Sequence, residues 1–192
     1  MISMPNFDII LTILWLLFIA YWLFSALGAK RNLQKNMWAR GLGIRLLLVV
    51  VIIIFLRLQA SEHLFRYDVL FVSNALAGSI GLVLCVLGFG LAVWARVHLG
   101  RNWGMPMSLK ENPELVTTGP YTYVRHPIYS GFLLAILGSA FVVGFAWLIS
   151  LVIFCAYFVY SAKTEEKIMT KQFPDQYPEY KKRTKMLIPF IV

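Results

Sequence analysis

Charged residues leave four gaps along the chain, and the gaps set the architecture. Residues 9–29, 69–95 and 127–162 run for 21, 27 and 36 positions without a charge. A fourth run, residues 46–56, is 11 long and reaches back to Gly41 if Arg45 turns its guanidinium to the interface. A membrane-spanning helix needs about 20 apolar residues, so each run predicts a span. The longest cannot be one straight helix, because at ~1.5 Å per residue it would cover ~54 Å against a hydrocarbon core of ~30 Å. Gly144, after Val142-Val143, is the natural break. Residues 127–143 and 145–162 then form a tight helical hairpin, and the total is five spans.

The expected fold is therefore all-α: a polytopic membrane protein with five transmembrane helices, the last two a hairpin. Composition agrees, since 59% of the 192 residues are hydrophobic and only 14% are charged, where a soluble domain carries about 25% charge. The first apolar run lacks a basic stretch before it and a small-residue cleavage site after it, so it reads as a retained helix. Cys85 and Cys155 both lie in apolar runs and read as small packing residues, with no disulfide or metal-ligand spacing.

Charge then orients the spans. The loop after the first holds Lys30, Arg31, Lys35 and Arg40 with no acid, whereas Arg57 and Arg66 after the second are balanced by Glu62 and Asp68. Arg96, Arg101, Lys110 and Arg125 follow the third span, and seven Lys and Arg lie between Lys163 and Lys185. Basic loops alternate, which predicts the N-terminus outside and the C-terminus in the cytoplasm. Topology and anionic headgroups account for the +9 net charge, and no base-reading motif calls for nucleic acid. Polar mass is concentrated in residues 96–126 and 163–192, where 163–173 suits a helix that Pro174 and Pro178 stop. No repeat or linker appears, so residues 1–192 read as a single integral-membrane domain, 1–95 carrying three N-terminal helices and 96–192 the chemistry.

The stretch Leu115-Val116-Thr117-Thr118-Gly119-Pro120-Tyr121-Thr122-Tyr123-Val124-Arg125-His126-Pro127-Ile128-Tyr129-Ser130-Gly131 joins a polar loop to the hairpin. Gly119-Pro120 is a turn signal and Pro127 suits the first turn of a helix, where its missing N–H costs nothing. Arg125, His126 and several aromatics thus sit at a helix N-terminus on a membrane surface. That is a site for an anionic or π-faced ligand, or a set of interfacial anchors. Glu165-Glu166 follows the fifth span without a break. One of the pair either bonds Lys163 or Lys167 at the helix end, or reaches the Arg125–His126 mouth, since a hairpin begins and ends on one side. Trp103 reads either as a further ligand wall or as an interfacial anchor, and Tyr177 and Tyr180 either as a cover or as anchors of the same kind. No Ser-His-Asp set, Walker loop, GxGxxG or CxxC is present, and neither His63 nor His98 has a partner at metal-ligand spacing, so a hydrolase or metal site is unsupported.

With these motifs in order, the chain from about Gly100 onward resembles the isoprenylcysteine carboxyl methyltransferase family, integral-membrane enzymes that use S-adenosylmethionine. The resemblance rests on Leu115–Tyr121, Val124–Gly131, Glu165-Glu166-Lys167-Ile168-Met169, Phe173, Tyr177 and Tyr180. It implies a cytoplasmic cofactor-binding loop, with S-adenosylmethionine held by Pro113, Glu114, Leu115, Val116, Tyr121, His126, Pro127, Ile128, Tyr129 and Glu165. The catalytic residue stays open, with Arg125 and Glu166 as candidates and Glu165, Glu166 or His126 as the base an amine acceptor would need; Ser161 and Trp103 are the candidate substrate contacts. The implied reaction is methyl transfer to a lipophilic, membrane-partitioned acceptor, a carboxyl O-methylation of an isoprenylcysteine-like substrate, with membrane lipids as further partners. Two positions depart from the family. Pro113 replaces a common His, and Ser161 replaces the substrate-binding Arg of eukaryotic prenylcysteine enzymes, which predicts weak or no activity on simple prenylcysteines unless another cation, Arg125 or Lys163 first, grips the acceptor carboxylate. Rival readings are phospholipid or other amine N-methylation, an NADPH-dependent membrane reductase, and a transporter, the last disfavoured because the clear charges lie at span ends.

Overall fold

A computed structural model describes residues 6–26, 75–103, 114–144 and 146–189. They form five α-helices: α1 Phe7–Ala26, α2 Ala75–Leu99, α3 Pro127–Val143, α4 Ala146–Gln172 and α5 Gln176–Arg183. Short 3-10 turns at Gly100–Asn102 and Gly119–Thr122 join them, and no strand occurs among the described residues beyond an isolated bridge. The segment 27–74, with the predicted second span around 46–56, lies outside the described residues.

Three helices are long and apolar enough to cross a membrane, over Phe7–Ser25, Ala75–Asn102 and Trp147–Gln172, and Pro127–Val143 is a shorter apolar helix. Their outer faces carry large exposed hydrophobics such as Leu16, Phe24, Val86 and Val152. In water such faces would mark an interaction surface; on helices of this length they face lipid. α2 runs beyond the expected limit at Ala95 and takes Arg96 and His98 into its last turn, where positive charge suits the helix C-terminus.

The α2–α3 pair is the centre of the bundle. Gly81, Cys85, Gly88 and Ala92 form one stripe on α2, and it meets Gly131, Ala135 and Gly138 of α3. A Cβ added at Gly88 would stand 2.5 Å from the Gly131 carbonyl oxygen, and one at Gly81 2.6 Å from that of Gly138. Lipid gives helices no hydrophobic drive to associate, so backbone approach through small residues supplies the packing. α1 lies across this pair through Trp15, Phe18 and Trp22. The Phe18 and Phe89 rings stack at 4.5 Å, and Trp15 Nε1 donates to Ser139 Oγ at 3.1 Å.

Gly144 ends α3 with φ 124°, a backbone region closed to most side chains, and α4 starts two residues on. The hairpin thus turns where expected. α4 is 27 residues long, ~40 Å at the helical rise, so part of it extends past a ~30 Å core. Glu165 and Glu166 lie in that extension. One expectation is corrected beyond it: Pro174 lies in the turn after α4, but Pro178 sits inside the first turn of α5, where no intrahelical N–H is required of it.

Candidate functional site

The mouth of α3 is built by a backbone clasp. The Arg125 N–H donates to the Lys185 carbonyl at 2.8 Å, and the His126 N–H to the Met186 carbonyl at 3.0 Å. Tyr180 Oη donates to the Tyr121 carbonyl at 2.6 Å, which fastens α5 onto the Gly119–Thr122 turn. Held this way, the Arg125 and His126 side chains meet the end of α4.

The two glutamates of α4 take different partners. Glu166 is 4% exposed. Its Oε1 accepts from Arg125 Nε at 2.7 Å, its Oε2 pairs with Lys181 Nζ at 2.7 Å, and His126 Nε2 lies 3.7 Å from Oε1. The Arg125 guanidinium also donates to the Lys181 and Thr184 carbonyls. Glu165 accepts from Tyr129 Oη at 2.5 Å and lies 3.5 Å from His126 Nδ1. His126 therefore stands between two carboxylates. Its ring stacks on Tyr129 at 5.4 Å, and Tyr129 in turn stacks on Phe158 at 4.5 Å. Burial opposes a charge on His126, but the hydrogen-bonding and charge of Glu165 and Glu166 outweigh it and raise its pKa above 6.5. Burial also raises the phenols of Tyr121 and Tyr177, and that of Tyr180 to about 12, so all three are neutral donors at physiological pH.

Beside this network lies a cavity of about 400 Å³, within the range of small-molecule sites. One end is polar, with Asn102, Glu114, Arg125, His126, Glu165 and the Tyr121, Tyr177 and Tyr180 rings. The other is aromatic, with Trp22, Phe132, Phe154 and Phe158. Phe154 precedes Glu165 by three helical turns, ~16 Å along α4, so the cavity reaches from the charged mouth into the apolar layer.

Of the residues singled out from the sequence, Glu114, Leu115, Val116, Tyr121, Arg125, His126, Ile128, Tyr129 and Glu165 line this cavity, with Trp103, Tyr177 and Tyr180. Pro127 is buried and begins α3 without lining it. Glu166 lies behind the wall, where its partners are Arg125 and Lys181, not the Lys163 or Lys167 of a helix-end pair. Ser161 is fully buried, is not among the residues lining the cavity, and its hydroxyl has no hydrogen-bond partner among the described residues. Pro113 lies outside the described residues. Lining residues not singled out include Phe154, Phe158 and Gln172. Stepping from Glu165 by 7 and 11 residues back and 7 forward along one helix face finds all three. Trp22 had no such signal.

These walls correspond to a family. A model of the phospholipid methyltransferase family matches residues 76–176, more than half of the chain. The chain belongs to this family. Among individual relatives, the protein-S-isoprenylcysteine O-methyltransferase of Schizosaccharomyces pombe is 37% identical over 113 residues, covering 56% of this chain and 47% of that protein. Protein-S-isoprenylcysteine O-methyltransferase B of Arabidopsis thaliana is 30% identical over 122 residues, 59% of each chain. The cobalt-zinc-cadmium resistance protein CzcN of Cupriavidus metallidurans is 30% identical over 165 residues, 84% of this chain and 69% of CzcN. The matches bear out the resemblance to isoprenylcysteine methyltransferases read from the motifs. The chain spans about half the length of the S. pombe relative.

Proposed function

We propose that the protein transfers a methyl group from S-adenosylmethionine to a lipophilic acceptor in the membrane, an isoprenylcysteine-like thioether whose carboxylate becomes a methyl ester. One observation carries the reading: a single cavity runs from a carboxylate-lined mouth to an aromatic end at membrane depth. Its donor set fits the cofactor. Glu114 and Glu165 suit a ligand bearing a sulfonium, an ammonium and ribose hydroxyls, and the tyrosines suit an adenine face. Glu114, Leu115, Val116, Tyr121, His126, Ile128, Tyr129 and Glu165 would hold it, with Pro127 fixing the turn that presents them. When bound, the group supplies an electrophilic methyl carbon.

The chain's own work is then alignment and exclusion of water. A carboxylate acceptor is already a nucleophile at neutral pH, so orientation can provide much of the rate without a base. Arg125 brings positive charge to the wall where the acceptor's carboxylate would lie, held in place by Glu166 behind it. Tyr177 and Tyr180 cover the polar end, and their neutral phenols add no charge of their own. The whole chain acts in this reading as one integral-membrane unit, its N-terminus outside and the mouth of the cavity facing the cytoplasm. Cysteines introduced at Glu62 and Glu111 test that orientation, and equal labelling of both from outside would overturn it.

The function is tested with the full chain in lipid nanodiscs, titrated with S-adenosylmethionine and with NADPH, then supplied with labelled methyl donor. Saturable binding of the first alone, and base-labile label on a prenylcysteine, is the expected result. Binding of NADPH alone would replace methyl transfer with reduction. Base-stable label on extracted lipids would move the acceptor to an amine.

A further inference from the structure

Among the described residues lining the cavity, Trp22 is the one that lies N-terminal to the family-matched segment 76–176. The polar walls come from the matched segment and the tail just after it, but one aromatic wall comes from a helix outside it. Trp22 is set among rings: Phe18 at 5.2 Å, Phe132 edge-on at 5.6 Å, and Trp103, itself a cavity wall, edge-on at 5.7 Å.

The position of Trp22 is fixed by an unusual group. Arg96, at the end of α2, is 5% exposed and has no carboxylate partner among the described residues. Its guanidinium donates to the Ser25 carbonyl in the last turn of α1 and, at 2.7 Å, to the Gly100 carbonyl, and it lies 4.7 Å over the Trp103 ring. Stripping a buried charge of its hydrogen bonds is costly, so these contacts matter to the fold. Here they tie α1, the end of α2 and Trp103 into one rigid corner, with Trp22 one turn before the clamped residue.

From this corner we infer that Trp22 is a specificity-determining residue, its indole setting how long an apolar chain the acceptor can place in the cavity. The inference rests on the methyl-transfer reading above. A cavity of about 400 Å³ has to seat both a polar cofactor and the reacting end of the acceptor, so its aromatic end has little room to spare. Trp22 lines the cavity with the largest natural side chain, packed on Phe18, and the residue one turn on is held by the Arg96 clamp. Shortening it opens space between α1 and α3 that Phe18, Trp103 and Phe132 continue to line.

The test compares wild type, Trp22→Ala, Trp22→Leu and Trp22→Phe, all full-length and in nanodiscs. Acceptors are N-acetylcysteines carrying one, two or three isoprene units on sulfur. Two profiles are read along the series: kcat/KM for methyl transfer, and affinity for the corresponding methyl esters without methyl donor. Calorimetry follows S-adenosylmethionine in parallel. Trp22→Ala should raise the preference for the longest over the shortest chain by at least about tenfold in both profiles, the scale of discrimination a few methylenes allow. Trp22→Leu should lie between, and Trp22→Phe nearest wild type. An unchanged preference in a variant that still binds cofactor overturns the inference, as does an equal fall for every chain length. If Trp22→Ala no longer binds cofactor, the other two variants decide by the same ordering. A wild-type protein that binds S-adenosylmethionine but methylates no thioether would sink the acceptor reading, while the ester affinities would still judge Trp22.

Discussion

Glu165 and Glu166 are neighbours on α4, and neutralising them one at a time should damage the protein in different ways. Glu166 is buried and holds Arg125, whose side chain is 7% exposed, together with Lys181. Removing one partner of a buried ion pair costs ~3–5 kcal/mol, since the other charge is left without compensation. Gln at position 166 keeps an amide oxygen for Arg125, and Lys181 is half exposed, so its share is only ~0–1 kcal/mol. Glu166→Gln should therefore cost roughly 2–3 kcal/mol, a fall of about 5–10 °C in melting midpoint for a chain of this size. Glu165 differs because its side chain is 25% exposed and faces the cavity. In Glu165→Gln the Tyr129 hydroxyl still finds an acceptor, so stability should change by less than about 1 kcal/mol. What is lost is a charge opposite a cationic ligand, about 1.5–3 kcal/mol, or roughly ten- to hundredfold in affinity for S-adenosylmethionine. Scanning calorimetry and ligand titration of both variants in the same detergent separate the effects. If Glu165→Gln melts lower than Glu166→Gln, or if it binds cofactor as tightly as wild type, the division of roles is wrong.

Three further outcomes follow from the same contacts. His126 has a raised pKa in the folded protein, so the stability its proton contributes is fully present below about pH 6.5 and is lost as pH rises through the folded value. The melting midpoint should fall across that window in wild type and flatten in His126→Gln; parallel curves would show that the proton lies elsewhere. Gly88→Ala places a Cβ 2.5 Å from a backbone oxygen of α3 and should cost about 1–3 kcal/mol, whereas Gly90→Ala meets nothing within 4 Å and should be neutral in the same thermal assay. Ser161→Ala removes a buried hydroxyl with no partner among the described residues, so it should leave methyl transfer unchanged and stability equal or up to about 1 kcal/mol higher. A large loss of activity there would mean that Ser161 touches a ligand.

What could be read from the sequence was what local geometry determines. The break at Gly144 was legible because a turn between two uncharged runs needs a residue free to take positive φ. The meeting of Glu165 with His126 was legible for a related reason. Descending 17 residues from Pro127 and returning a similar number from Ala146 brings α4 back to the level of the α3 mouth, so the carboxylates arrive where the arms began. Nothing comparable announced Lys181 as the partner of Glu166, because it lies beyond a turn whose direction the sequence leaves open. Pro178 misled for the opposite reason: a proline ends one helix or begins the next, and only the placement of α5 decides. Trp22 was illegible altogether, since its contact with Trp103 joins residues 81 apart in sequence through the packing of α1 on α2.

That packing also explains how one small bundle can serve two kinds of ligand. The polar end of the cavity is defined by the α3–α4 hairpin and the tail clasped to it, elements consecutive in sequence and linked by backbone bonds and ion pairs. Its aromatic end depends on how closely α2 approaches α3, because α2 carries the corner of Arg96 and Trp103 against which Trp22 rests. Glycines at the α2–α3 contact let the two backbones meet. A wall fixed by the hairpin can keep the same cofactor while the neighbouring helices vary. On the proposed reading the acceptor, in contrast, meets residues such as Trp22, whose positions depend on how α1 packs on the α2–α3 pair.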